Sequence, residues 1–138
     1  MKETPGQILD PVRKKWVAAT PEEMVRQKLI LHLNKKCGVP VELMMCEYSF
    51  DINGNKYRSD LVIFSASGEP LMVAECKAPG VKIGEDVFSQ IFTYNYRLKV
   101  KYLLLTNGSV TYCATFDGIN GKMVFLNKIP NYNELLEK

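Results

Sequence analysis

Three ionisable residues sit where apolar strands usually end in turn residues. In the stretch RSDLVIFSASGEPLMVAECKAP, residues 58–79, Asp60 opens one apolar run, and Glu75 and Lys77 close the next. The pattern predicts two buried strands joined by a turn, with the three charges at neighbouring strand ends. Alternation along a strand sends Glu75 and Lys77 out of one face and Cys76 out of the other, leaving the Cys76 carbonyl available. Two carboxylates suit a hard divalent cation, because Mg2+ takes carboxylate and carbonyl oxygens, keeps several waters and is satisfied with one or two protein carboxylates. A lysine beside such a cation can polarise the attacking water or meet the charge that develops on a phosphorane. The chemistry expected of this set is metal-assisted phosphodiester hydrolysis. The plainer alternative is an ion pair, with Lys77 neutralising Asp60 or Glu75 at a sheet edge.

The flanking sequence supplies the elements that would position these charges. Residues 20–37 read as a helix: Thr20 at the N-cap, Pro21 at N1 and Glu23 at N3 form a capping-box pattern, and Gly38 and Pro40 stop it. Val25, Leu29 and Leu33 fall on its inner face, with Glu22 in phase and His32 on the border. Residues 41–52 and 56–64 read as strands around the hairpin signal Asn53-Gly54, and residues 71–77 as a central strand. A second helix is expected over residues 84–99, with Val87, Ile91, Tyr94 and Leu98 inward. Residues 101–106 then form a strand, and this strand–helix–strand order predicts parallel pairing with 71–77. Residues 110–116 and 122–126 form a last hairpin around 118–121, and residues 133–137 at most a turn or two of helix. The expected fold class is α/β, more strictly an α+β arrangement: a mixed sheet of five or six strands with one helix before it and one crossing it.

At 138 residues the chain is long enough for a real core, and one domain over 1–138 is expected, with residues 1–19 as an N-terminal arm packed through Ile8, Leu9, Val12 and Trp16. A net charge of +3 permits a nucleic-acid partner without arguing for one, since clustering is what matters. The basic run Arg13-Lys14-Lys15 reads as a solvated face, with a phosphate contact as the sharper alternative. Cys37, Cys46, Cys76 and Cys113 are widely spaced and lack a C-x-x-C, so free thiols in a reducing cytoplasm are expected. No apolar run approaches membrane-spanning length, which predicts a soluble protein without a membrane partner.

Ser59-Asp60 followed by Glu75-Cys76-Lys77 resembles the PD-(D/E)xK nuclease motif. More narrowly, TPEEMVRQKL, RSDLVIF, VAECKAP, QIFTYN and LLLTNG, in this order, resemble the N-terminal nuclease domain of type I restriction enzyme R subunits over residues 12–126. The resemblance implies a restriction-endonuclease-like αβββαβ core with an added C-terminal β-hairpin. It implies that Asp60, Glu75 and the Cys76 carbonyl hold Mg2+, or Mn2+ in its place, and that Lys77 is the catalytic lysine. Gln90 and Tyr94 match a Gln-x-x-x-Tyr motif that would reach the site edge or the DNA backbone; a surface amide and a core tyrosine are the alternative. Superfamily members often add an acidic residue from the first helix. Glu22 has the better phase for that role, against a first-turn carboxylate favoured by the helix dipole.

Ser59 stands where the motif name has proline, which leaves the aspartate intact. No ATPase motor, helicase motif or DNA-recognition domain is present in the sequence, so the chain is expected to be a stand-alone module, a partner-dependent subunit or a fragment. The implied partners are DNA, restriction-modification or helicase subunits, and a second copy of the chain for cutting both strands. RNA stays open as a substrate, because metal catalysis at phosphate does not itself read the 2′-hydroxyl. A reading from another class is a nucleic-acid-binding or assembly module that keeps the fold and has little activity alone. Nothing in the sequence marks a base-reading helix or finger.

Overall fold

The computed structural model describes residues 6–84, 86–89, 91, 98–117 and 122–137. Gln90, Tyr94 and the turn expected at 118–121 lie outside these residues. The chain opens on a hairpin, β1 (Gln7–Asp10) with β2 (Lys15–Ala18), paired from Gln7–Ala18 to Asp10–Lys15. The arm expected over 1–19 is therefore a two-stranded element. Its tight turn is held by Asp10, which accepts from the Val12 N–H, while Lys14 adopts a left-handed φ of 55°.

Helix α1 (Pro21–Lys35) follows. Thr20 caps it by accepting from the Glu23 N–H at 3.2 Å, which satisfies one of the amides a helix start leaves bare. Only half of the expected capping box forms at Thr20, because the Glu23 carboxylate is taken by arginines instead. A 3-10 turn at Val41–Leu43 then replaces the first residues of the expected strand, which begins at Met44.

Six strands build the main sheet: β3 (Met44–Ile52), β4 (Asn55–Phe64), β5 (Pro70–Cys76), β6 (Tyr102–Thr106), β7 (Thr111–Asp117) and β8 (Lys122–Phe125), side by side in that order. The β3–β4 hairpin turns on Asn53 and Gly54, with φ of 52° and 83°, the two positive values that match strand twist. Residues 86–89, 91 and 98 are helical between β5 and β6, and β5 pairs with β6 in parallel from Met72–Tyr102 to Cys76–Thr106, as the strand–helix–strand order predicts. The other neighbours in the sheet are antiparallel.

The sheet is packed on both faces. Leu61, Ile63, Met72, Ala74, Cys76 and Leu104 meet Val25, Leu29, Ile30 and Leu33 of α1. The residues that alternate with them, Val62, Val73, Leu103 and Leu105, meet Ile83, Phe88 and Val100 on the other side. That double cover explains why β5 and β6 read as continuous apolar runs. A short helix, α2 (Tyr132–Leu136), closes against the α1 side through Leu135 and carries a full capping box between Asn131 and Glu134. The four cysteines are free thiols. Among the described residues no helix is long and apolar enough to cross a membrane.

Candidate active site

The site grows from the ends of β4 and β5. Strand β5 enters the core as MVA and leaves it at Glu75 and Cys76. Cys76 is buried among the α1-facing residues, so alternation puts Glu75 and Lys77 on the opposite face, in phase with Val73. Lys77 lies just past the end of β5, but its N–H still donates to the Thr106 carbonyl at 2.9 Å, which keeps it in line with the strand. On β4, Asp60 is in phase with Val62 and therefore shares the face of Glu75 and Lys77. The Asp60 carboxylate accepts from the Cys76 N–H at 2.7 Å, a charge-assisted bond that fixes its direction.

Glu75 is half-buried beside Asp60. Burial, then the Asp60 charge and a hydrogen bond between the two carboxyl groups, pushes the Glu75 carboxyl up to about 8, while a hydrogen bond from the Asp60 N–H and then the Lys77 charge pull the other way. At neutral pH the pair therefore retains a proton, because two adjacent carboxylates cannot both ionise cheaply. Beside it opens a cleft of about 400 Å³, lined by Lys56, Arg58 and Ser59 of β4, by Glu75 and Lys77, and by Val87, Ile91 and Leu98. Positive side chains thus rim a space whose wall carries Glu75, with Asp60 beside it.

Among the described residues no group of three or more His, Cys, Asp and Glu is placed to hold a metal ion. Among the described residues the side-chain donors at the site are the carboxyl pair, and their chemistry fits a divalent cation. A cation would replace the shared proton and relieve the repulsion that raises Glu75, and two carboxylates suffice for Mg2+ with its waters.

A second charged group lies behind the pair, and periodicity missed it. Glu23 is buried and Glu22 exposed, the reverse of the phase expected for α1. The expected inner face of Val25, Leu29 and Leu33 is buried, and the buried surface extends through Glu23, Arg26, Gln27 and Ile30, while Glu22 is exposed at the helix start. Glu22 still adds its charge to the effects that raise the Cys76 thiol, after burial and Asp60. Arg26 grips Glu23 with both sides of its guanidinium, Nε to Oε2 at 3.0 Å and Nη2 to Oε1 at 2.7 Å. Arg13 from the N-terminal hairpin binds the same carboxylate at 2.5 Å and also pairs with buried Asp10. Arg13 is therefore neither the solvated charge nor the phosphate contact expected of the Arg13-Lys14-Lys15 run. Burial alone would raise the Glu23 carboxyl, but hydrogen bonds from Arg26, Arg13 and Gln27 hold it at about 2. The signal was present in the spacing Glu23–Arg26, an i, i+3 pair, but charges are assigned outward by default.

The structure thus brings Asp60, Glu75 and Lys77 to one face, puts Cys76 on the other, and places Glu22 on the exposed margin of α1. The chain's residues 21–130 match the family model described as "Type I restriction enzyme R protein N terminus". A solved structure described as "The fragment structure of a putative HsdR subunit of a type I restriction enzyme from Vibrio vulnificus YJ016" shares the fold, with a TM-score of 0.61 and 21% identity. That likeness covers 84% of this chain and 24% of the other, so the chain spans about a quarter of that relative. No curated protein matches the sequence. With four-fifths of its length inside the family model, the chain belongs to the family of type I restriction enzyme R protein N-termini.

Proposed function

We propose that this chain is the nuclease module of a restriction system, a Mg2+-dependent DNA endonuclease of the PD-(D/E)xK type with the αβββαβ core of that superfamily. The observation that carries the reading is the placement of Asp60, Glu75 and Lys77 on one face of the sheet, with Glu75 and Lys77 lining a basic-rimmed cleft. Asp60, Glu75 and the Cys76 carbonyl would hold Mg2+, or Mn2+. The bound cation supplies a water activated for attack and a counter-charge for the phosphate. Asp60 is oriented for its part by the Cys76 N–H. Lys77, on the same face, holds the attacking water and meets the charge that builds on the phosphate oxygens. Lys56 and Arg58 line the same cleft and offer positive charge to a backbone phosphate on either side of the scissile one. Gln90 and Tyr94 belong to this reading through the sequence resemblance.

One site cuts one strand, so cleavage of a duplex takes a second copy of the chain or a partner subunit. Other subunits of a type I restriction system, together with DNA, are the proposed partners. The test is nicking of supercoiled plasmid with added Mg2+ or Mn2+. Activity should fall by a factor on the order of 100 or more in Lys77→Ala and Asp60→Ala, the scale of losing one charge-stabilising group. Nicking that persists in both variants would sink the assignment. DNA binding without metal-dependent nicking in the unmutated protein would support the binding-module reading instead, and faster loss of an RNA substrate would change the substrate class.

A further inference from the structure

We propose that Arg26 is a positioning residue for the site: it holds the Asp60 main chain at the one place where the strand pairing lets go of it. The β3–β4 ladder pairs Cys46 with Leu61 and Tyr48 with Ser59, and passes over Glu47 and Asp60 between them. At that gap Glu47 adopts a φ of 56°, a left-handed conformation that is strained for a non-glycine residue and persists only where its surroundings enforce it. The Asp60 carbonyl is taken up by Arg26 Nη1 at 3.2 Å. The same guanidinium is locked in place by the two bonds to Glu23, and Glu47 approaches it at 3.6 Å while also binding Arg58 of the cleft at 2.8 Å.

Asp60 is therefore held at three points from two elements. Its carboxylate accepts from the Cys76 N–H of β5, its own N–H donates to the Glu75 carboxyl of the same strand, and its carbonyl accepts from Arg26 of α1. Arg26 is the hold that comes from outside the sheet and fixes the carbonyl, which neither bond to β5 reaches. Groups that orient a ligand without touching the metal commonly set affinity by a factor of 10 to 100. Arg13 serves as the internal contrast: it shares Glu23 with Arg26 and pairs with Asp10, so its removal disturbs the same buried cluster without touching Asp60.

The inference rests on the metal-site reading for its consequence, but not for its geometry, and two readouts keep the two apart. In metal-free protein, the carbonyl-carbon resonance of Asp60 should move in Arg26→Gln and Arg26→Lys and stay in place in Arg13→Gln. Lysine keeps the charge but cannot hold Glu23 with a fork and reach Asp60 as well. By calorimetry with Mn2+, affinity should drop about tenfold or more in Arg26→Gln, by less in Arg26→Lys, and stay near the unmutated value in Arg13→Gln. Cleavage should lose kcat rather than gain KM. If both arginine variants lower the melting temperature alike and leave the Asp60 resonance and Mn2+ affinity unchanged, Arg26 is only structural and the proposal is overturned. If the unmutated protein binds no metal, the function proposed above fails, and the Asp60 resonance alone decides the role of Arg26. If Arg26→Gln does not fold, Arg26→Lys carries the same two readouts.

Discussion

At the first turn of α1, Glu23 is surrounded by Arg13, Arg26 and Gln27 and is held at about 2, whereas at the end of β5 Glu75 faces Asp60 and is pushed up to about 8. Both carboxyls are at least half-buried, so desolvation acts on each in the same direction. The difference comes from the neighbours. Two guanidiniums outweigh the cost of burying Glu23, while a second carboxylate adds to the cost of burying Glu75. The first cluster is complete without a ligand and ties the N-terminal hairpin, α1 and β4 together. The second is left wanting a positive charge that the protein supplies only in part, through Lys77. A fold that satisfies one buried carboxylate so fully and leaves another in conflict concentrates that conflict at the site proposed to hold a cation.

The sharpest way to break the contrast is to empty the satisfied cluster. Glu23→Ala leaves Arg13 and Arg26 facing each other without their shared partner. It should cost about 3 kcal/mol or somewhat more in urea unfolding, the scale on which breaking a buried pair leaves a charge uncompensated. The pH dependence has a definite sign. Because the folded pKa lies below the unfolded one, the Glu23 contribution is fully present above pH 4.5 and is lost as pH falls from there through about 2. The unmutated protein should lose roughly 3 kcal/mol more than Glu23→Ala across that window. An acid limb of equal depth in the two proteins would show that the cluster does not hold the fold.

Glu75 should behave in the opposite sense. Its folded pKa lies above the unfolded 4.5, so its contribution is present below pH 4.5 and is lost as pH rises through about 8. Metal-free protein should therefore melt at a lower temperature at pH 8 than at pH 5.5, and Glu75→Gln should flatten that slope and raise the melting temperature at the alkaline end. Adding Mn2+ should raise the melting temperature of the unmutated protein more at pH 8 than at pH 5.5, because the cation displaces a proton that is held less firmly there. A Glu75→Gln variant that melts lower than the unmutated chain at pH 8 would mean the carboxyl pair is a stabilising contact and not a strained one.

What could be read from the sequence divides along the same line. The doubly covered strands β5 and β6, the Asn53-Gly54 turn, the parallel pairing across the crossover and the common face of Glu75 and Lys77 follow from alternation and turn chemistry, which are local rules. The N-terminal hairpin did not follow, because Ile8, Leu9 and Trp16 are too few to show a period and the turn depends on a contact from Asp10 back to its own backbone. The 3-10 turn at Val41–Leu43 was hidden inside an apolar run that fits a strand equally well. The arginine cluster was illegible for a stronger reason. Its energetics come from Arg13, Glu23 and Arg26, which meet only after a hairpin folds back on a helix, so neither the charge run at Arg13 nor the cap pattern at Glu23 shows it. The two capping boxes make the same point in miniature: the pattern at Thr20 and Glu23 was half overridden by tertiary partners, while the one at Asn131 and Glu134, with no such competitor, is complete.

The smallest effect belongs to Glu22, and it bears most directly on where the site ends. Glu22 is exposed at the margin of α1, yet its charge is felt at Cys76, on the strand that carries Glu75. As a surface carboxylate in the first turn of a helix it contributes through the helix dipole, so Glu22→Gln should change stability by only about 0.5 kcal/mol. If it serves only the dipole, Mn2+ affinity and nicking rate will follow that small change. If it adds a third carboxylate to Asp60 and Glu75, affinity will fall several-fold while the melting temperature of the metal-free protein hardly moves. The two outcomes separate because the dipole acts on the fold with or without a cation, whereas a ligand contributes nothing until the cation is bound. A drop in affinity confined to Glu22→Gln and absent from a Glu42→Gln control, whose carboxylate is exposed in the 3-10 turn, would extend the site onto the helix.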